Sequence, residues 1–371
     1  MADVIVIGAG VSGSSIAVNL AKSGARVVIC DRGDPGQASQ ASAGMLAPLS
    51  EAAGPSPFLD LALESLRVFE PLAEELRERT GIDVGYRRSG VLRVALSAEE
   101  ERELRTRRTW QQTAGLNATW LDPTRARDAE PALIRELRGA LYYPQEHQVS
   151  APALVRALSR GAADLGATFR MDFNVSGFLR GGDRVVGIRG DQETLRASQV
   201  VIANGAWAGA WSQELGVYLP ISPVRGQMIA LRTIGTPLRH IIFSHDGYIA
   251  SKAEGLTYVG ATVEEVGFDA RPTAAGVAQL LSLVPRLAPG LGTETFSHAW
   301  AGLRPATPDR MPILGRVPDW QNLYIAGGHF RNGILLAPIT GILISDLIQH
   351  GRPRLPLDAF DPVRFLAPVG R

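Results

Sequence analysis

The sequence predicts an α/β protein in which a helix-covered parallel sheet, built from discontinuous segments, carries a mostly antiparallel β-sheet domain with helices. Three observations predict it. Apolar, β-branched runs meet glycine at three widely separated places, Gly8, Gly205 and Gly327. Short alternating runs, the pattern of antiparallel strands, fill the stretches between them. At roughly 100 to 200 residues per domain, the 371 residues suit about two domains or one large composite.

The elements follow in order. Val4 to Ile7 reads as a buried strand, Gly8-Ala9-Gly10-Val11-Ser12-Gly13 as a turn, Ser14 to Ser23 as a helix stopped by Gly24, and Arg26 to Asp31 as a second strand. Both strands are almost wholly apolar, as a parallel pair covered on both faces requires. Ser56 to Thr80 is helical, with Leu59, Leu63, Leu66, Phe69, Leu72 and Leu76 on one face and a stop at Gly81. Ser89 to Leu96 reads as a strand, and Ser97-Ala98-Glu99-Glu100 as a capping box opening a polar helix to about Ala114. A helix from Ser150-Ala151-Pro152 to Gly166 precedes short strands broken at Gly181-Gly182 and Gly190-Asp191, ending in Gln199 to Gly205. Residues 221 to 304 are mostly strand-like, with one helix near Ala274 to Leu287. Leu323 to Gly328 is a last buried strand, and an apolar helix then runs to about His350.

Composition narrows the function. With 38 basic against 37 acidic residues, 36 of the basic ones Arg and scattered among acids, there is no electrostatic footprint for nucleic acid or an anionic membrane. One cysteine, Cys30, rules out an internal disulfide and a cysteine metal cluster, and a cytoplasmic location is expected. Gly333 to Ile344, the most membrane-like stretch, is short and carries Pro338 and Thr340, and no signal peptide is read at Met1-Ala2-Asp3. Glycine, 40 of 371 residues or about 11% against a usual share of about 7%, suggests bare backbone brought repeatedly close to something.

The first turn says what that is. In Gly8-x-Gly10-x-x-Gly13 the first glycine makes the turn, the second admits a pyrophosphate and the third lets helix pack on strand. The helix N-terminus beyond it favours anions. Asp31 lies 31 − 13 = 18 residues past the last glycine, near the spacing of about 20 expected of an acid that accepts from ribose hydroxyls. Strand, turn, helix, second strand and terminal acid in sequence predict a Rossmann-type domain holding a dinucleotide; this fingerprint does not choose between NAD and FAD. Ser39-Gln40-Ala41-Ser42-Ala43-Gly44-Met45-Leu46 is a run of small residues against which a flat ring system could lie, though composition alone equally describes a flexible loop.

That run, with Trp300-Ala301-Gly302-Leu303-Arg304-Pro305 and Gly327-Gly328-His329-Phe330-Arg331-Asn332-Gly333-Ile334-Leu335-Leu336, resembles the FAD-dependent D-amino acid oxidase superfamily, most closely its bacterial glycine oxidases, from Val4 to about Phe365. The resemblance implies FAD, with the isoalloxazine between Ala43 to Leu46 and the Gly327 to Leu335 loop. It implies cofactor contacts at Gly8, Gly10, Gly13, Asp31, Arg32, Ser39, Ala43, Gly44, Met45, Val175, Gly205, Gly328, His329, Arg331, Asn332, Gly333, Ile334 and Leu335. It implies further that Arg304 clamps a substrate carboxylate, a task for which a planar guanidinium is suited, with Tyr248 donating and Arg331 close by. Taken alone, Arg304 would read as a strand-end residue and Tyr248 as a half-buried strand tyrosine. His245 is a weaker candidate, Trp300 reads as core, and the two lysines, Lys22 and Lys252, are expected to face solvent.

Two departures qualify the resemblance. Relatives of the monomeric sarcosine oxidase type attach FAD through a late cysteine, whereas Cys30 sits in the second strand, so FAD is expected to be non-covalent. Those relatives also use a lysine near the flavin for reaction with oxygen, and the matching motifs here carry none, which leaves the electron acceptor open. The expected activity is oxidation of glycine and small related amines to a 2-oxo acid, ammonia and hydrogen peroxide, with a link to thiamine thiazole synthesis. Other D-amino acids or sarcosine with another acceptor, 2-hydroxy acids, a tRNA-modifying oxidase and a flavin redox sensor are the alternatives. The expected FAD-binding domain spans 1–81, 141–214 and 318–366, the substrate domain 82–140 and 215–317. The expected partners are a small amino acid with a free carboxylate, molecular oxygen and other copies of the chain, with neither nucleic acid nor membrane.

Overall fold

The computed structural model describes residues 1–235 and 237–366. Strand Ala2–Ile7 lies between Val27–Asp31 and Thr194–Ile202, both parallel to it. The sheet continues in parallel through Leu323–Gly327 on one side and Thr168–Met171 on the other. Ile313–Arg316 closes one edge antiparallel, and the hairpin Val175–Gly181/Arg184–Gly190 joins the start of Thr194–Ile202. Successive side chains of the first strand enter two different cores, as the period of two requires. Val4 and Val6 pack among helices Val11–Lys22, Ala151–Asp164 and Gly333–His350, while Ile5 and Ile7 pack with Ile202, Phe178 and Trp320 on the other face.

The second sheet runs in the order 295–306, 222–232, 256–260, 248–251, 241–243, 91–95, 139–143, 119–121, antiparallel except where Ile241–Phe243 meets Val91–Ala95. Leu280, Leu283, Val284 and Leu287 of helix Ala274–Leu287 cover one face. The other face, with Met228, Phe243, Tyr248 and Ala250, packs against Ala43, Ala47 and Leu49. A bridge between Gln37 and Leu303 joins the two halves of the molecule.

Local signals fix the helix ends. Ser56 accepts from the Leu59 N–H at 3.3 Å, and Gly81 ends that helix with φ +72°. Ser97 and Glu100 form the reciprocal capping box. The expected segment boundaries fall inside sheets at two points. Gly139–Tyr143 pairs with Val91–Ala95 and Thr119–Leu121, so the second sheet reaches three residues beyond 140. Ile313–Arg316, expected in the substrate domain, hydrogen-bonds to Leu323–Gly327 and belongs to the first sheet. Neither strand is long or alternating enough to reveal its partner.

The last helix, 18 residues long, packs against the first helix and against Pro57–Thr80, with most of its residues from Ile334 to Asp346 buried. Its contact with the first helix is backbone on backbone: a Cβ at Gly341 would stand 2.6 Å from the Ser15 carbonyl oxygen. Alanine in a helix ordinarily stabilises by up to about 1 kcal/mol over glycine. Here overpacking reverses the sign, and Gly341→Ala is expected to lower unfolding free energy by about 1–3 kcal/mol in a urea titration.

Candidate active site

The parallel strands end at one edge, and there the chain leaves a cavity bordered by Ile7, Cys30, Ala203 and Ala326. Gly8 turns with φ +109°, a value that suits glycine, and a Cβ there would meet the Ala203 carbonyl oxygen at 2.5 Å. Gly13 packs against the Gly8 carbonyl, so closely that no side chain fits. Gly10 presents bare backbone to the cavity, and Val11 N–H donates to Ser39 Oγ at 3.0 Å. Ser12, next in the first turn, borders the cavity at the positive end of the helix. Asp31 accepts from Ala9 N–H at 2.7 Å on one oxygen and from Gly33 N–H and Gln37 on the other. Each oxygen keeps lone-pair capacity toward the cavity it borders.

The wall fits a large polar ligand. Asn204 Oδ1 and Trp211 Nε1 are buried without a protein hydrogen-bond partner, and both residues border this cavity. Buried polar atoms ordinarily find partners, so these two mark where a bound group would accept and donate. Arg32, Val175 and Gly205 line the same end. Cys30 is there too, its thiol pushed up to about 12 by burial, which keeps it protonated and unreactive.

At the far end, Ala43, Gly44 and Met45 face His329, Arg331, Gly333 and Ile334 across the cavity. Strand Thr295–Ala306 delivers Arg304, which pairs in register with Val224. A Cβ at Gly226 would collide with both terminal nitrogens of its guanidinium, so glycine there lets the group lie flat on the neighbouring strand. Arg304 Nη1 donates to the carbonyls of Arg225 at 3.3 Å and Thr262 at 3.0 Å. Among the described residues no carboxylate pairs with Arg304, and burial holds its guanidinium down to about 10, charged at neutral pH. Tyr248 is buried, its hydroxyl pushed up to about 12 by burial, with only the Met228 sulfur, at 3.5 Å, as acceptor among the described residues. Arg331 reaches the same cavity but is paired with Glu51 at 3.0 Å.

The structure thus gathers Arg304, Tyr248 and Arg331 with most of the residues expected to touch the cofactor. Gly13, Gly328, Asn332 and Leu335 are not on its lining: they build the wall from behind. Gly328 makes a turn at φ +69°, Asn332 N–H donates to the His329 carbonyl, and the Leu335 carbonyl accepts from Ser65. His245 is exposed. Trp300 donates to the Ala41 carbonyl at 2.9 Å and so steadies the small-residue run. Lys252, expected in solvent, is half-buried and turns its ammonium inward: its Nζ donates to the Ala43 carbonyl at 2.5 Å and Gln148 Oε1 at 2.6 Å. Burial holds that ammonium down to about 7. The strand face it shares with Tyr248 points into the protein, where these two acceptors replace water. Glu51, Met228 and Gly226 border the site without a sequence signal; Asn204, beside Gly205 at a strand end, had one in its position.

His329 is buried with Nε2 3.0 Å from Thr340 Oγ1, and burial holds its imidazole down to about 4. The folded state therefore binds fewer protons than the unfolded chain, whose histidine titrates near 6.5. This contribution is present above about pH 6.5 and is lost as pH falls toward 4. Between pH 7 and 4.5 the wild type is expected to lose about 2–3 kcal/mol more unfolding free energy than His329→Gln, measured in urea at both pH values.

A family model described as FAD dependent oxidoreductase matches residues 3–347. The glycine oxidase of Geobacillus kaustophilus is 38% identical over 99% of this chain and 98% of its own length. The crystal structure of glycine oxidase from that organism superposes with a TM-score of 0.95 at 37% identity, covering 99% of each chain. The bifunctional protein ThiO/ThiG of Synechocystis is 38% identical over 98% of this chain, which spans 54% of that protein. The glycine-lined cavity with its unpartnered buried polar atoms and the comparisons agree: the chain belongs to the family of FAD-dependent oxidoreductases, among its members of the glycine oxidase type.

Proposed function

We propose that this enzyme oxidises glycine and small related amines, such as sarcosine and small D-amino acids, to a 2-oxo acid and hydrogen peroxide, with oxygen as acceptor and with release of ammonia, or of methylamine from sarcosine. One observation carries the reading: a largely buried, charged guanidinium, Arg304, faces the cavity with no carboxylate of the described residues paired to it. A charge so placed calls for an anion from the ligand. Its planar fork suits a carboxylate, and the Arg225 and Thr262 carbonyls fix its plane before a ligand arrives. Tyr248 stays protonated across the working range and donates to the same anion.

FAD, when bound without a covalent link, supplies the two-electron acceptor for the substrate C–H bond. Gly8, Gly10, Ser12 and Asp31 would hold its dinucleotide, and Ala43 to Met45 with His329 to Ile334 would flank its ring. The protein's contribution is orientation: with the carboxylate fixed by Arg304 and Tyr248, the α-carbon is held at one place between those two segments. The neutral amine is the reactive form, and with the proton lost in solution no side-chain base is needed. The similarity to ThiO/ThiG supports a supply of imine to thiamine thiazole synthesis, and the single buried cysteine is compatible with a cytoplasmic enzyme.

Anaerobic addition of glycine, sarcosine and D-proline to the flavoprotein tests the substrate class: glycine is expected to bleach the flavin band fastest. Bleaching by a 2-hydroxy acid and by no amine would reject the reading. Arg304→Ala is expected to lower kcat/KM for glycine by about 30- to 5,000-fold, equivalent to about 2–5 kcal/mol for a buried ionic partner. Retention of wild-type kcat/KM would reject Arg304 as the carboxylate clamp.

A further inference from the structure

The end of the cavity bordered by Tyr248 holds two arginines and treats them differently. Arg304 has no acidic partner among the described residues, whereas Arg331 is engaged by Glu51 at 3.0 Å. Glu51 ends a four-residue helix, Pro48–Glu51, too short to be stable by itself. A buried polar scaffold holds that helix from both ends of its backbone. Glu146, with no exposed surface, accepts from Leu49 N–H at 2.5 Å, Ser50 N–H at 2.8 Å and the Ser50 hydroxyl. Arg93 donates to the Ser50 carbonyl, Arg107 to the Ala52 and Leu49 carbonyls, and Gln111 to the Leu49 carbonyl at 3.0 Å. Gln111 is itself fixed by the Tyr143 hydroxyl at 3.0 Å. Of this helix only Glu51 borders the cavity. The scaffold therefore fixes where one carboxylate stands, beside Arg331.

We propose that Glu51 determines substrate charge: by occupying Arg331 it leaves the site able to read one carboxylate, and it excludes amino acids bearing a second anionic group on the amine or side chain. The proposal rests on the amino acid oxidase reading above. A monoanionic substrate is satisfied by Arg304 and Tyr248. A second carboxylate would compete with Glu51 for Arg331, and the two like charges would repel at close range across that guanidinium. Removing the charge while keeping the shape, in Glu51→Gln, frees Arg331 to bind that second group.

The test uses the FAD-loaded enzyme, with acetate and malonate as unreactive probes followed through the flavin absorbance, and glycine and iminodiacetate as substrates. Wild type is expected to bind malonate no more tightly than acetate despite its two arginines. Glu51→Gln is expected to raise malonate affinity relative to acetate at least tenfold, and to raise the ratio of kcat/KM for iminodiacetate over glycine by a similar factor, chiefly through KM. Adding Arg331→Leu should abolish both gains. Tenfold tighter malonate binding by wild type, or a Glu51→Gln gain that survives loss of Arg331, would overturn the proposal; the wild-type arm decides even where the variant does not fold. If neither acetate nor glycine perturbs the flavin, the amino acid reading falls and the proposal with it. Malonate preference alongside glycine turnover overturns only the assignment to Glu51.

Discussion

Holding Arg304, a largely buried guanidinium with no acidic partner among the described residues, at the cavity wall is the constraint that organises its surroundings. A lone buried cation is costly, and Arg304 remains charged only because its surroundings are arranged for it. It lies on the bare backbone of Gly226, gives two hydrogen bonds to carbonyls and has the Tyr248 hydroxyl for a neighbour in the cavity. The long strand pair Ser222–Arg232/Thr295–Ala306 supplies that arrangement, since its register sets Gly226 two residues along from the partner of Arg304. The same strand pair positions the second sheet over the ends of the parallel strands, through the bridge between Gln37 and Leu303. Binding site and domain packing are thus one problem.

The segment from Ala38 to Ala52 is the other half of that arrangement. It has little regular structure, only two short helices and a two-residue strand, yet buried polar groups tie it down along its length. Trp300 holds Ala41, Lys252 holds Ala43, and Glu146 with Arg93 and Arg107 holds Leu49 to Ala52. Trp300, Arg93 and Arg107 come from the second sheet and a helix packed on it, so this wall of the cavity is fixed largely from that side of the protein. Such a network adds specificity of position more than stability, because each buried charge loses hydration on entering it.

The organisation of the chain was largely legible. The glycine spacing, Asp31 and the apolar strands announced a dinucleotide fold, because close backbone approach leaves few alternatives to glycine. Caps at Ser56, Ser97 and Ser150 set helix starts to within a residue, since a side chain bonding its own backbone is a local event. Arg304 and Tyr248 were legible only through the longer motif around them. The short strand Gly139–Tyr143 was not, and Ile313–Arg316 read as part of the wrong sheet, since a strand's neighbour is chosen by packing rather than by its own residues.

Legible in the residues themselves were the fold class and a dinucleotide cofactor, and the motifs around Arg304 and Tyr248 marked them as candidates for gripping a carboxylate. Tertiary structure alone decided how the charges are shared. Lys252 stands 209 residues from the carbonyl it holds, Glu146 binds backbone 96 and 97 residues away, and Glu51 meets Arg331 across most of the chain. Nothing in the composition around any of them shows those contacts. A side chain's charge partner is set by which surfaces close together on folding, and that is a property of the whole chain.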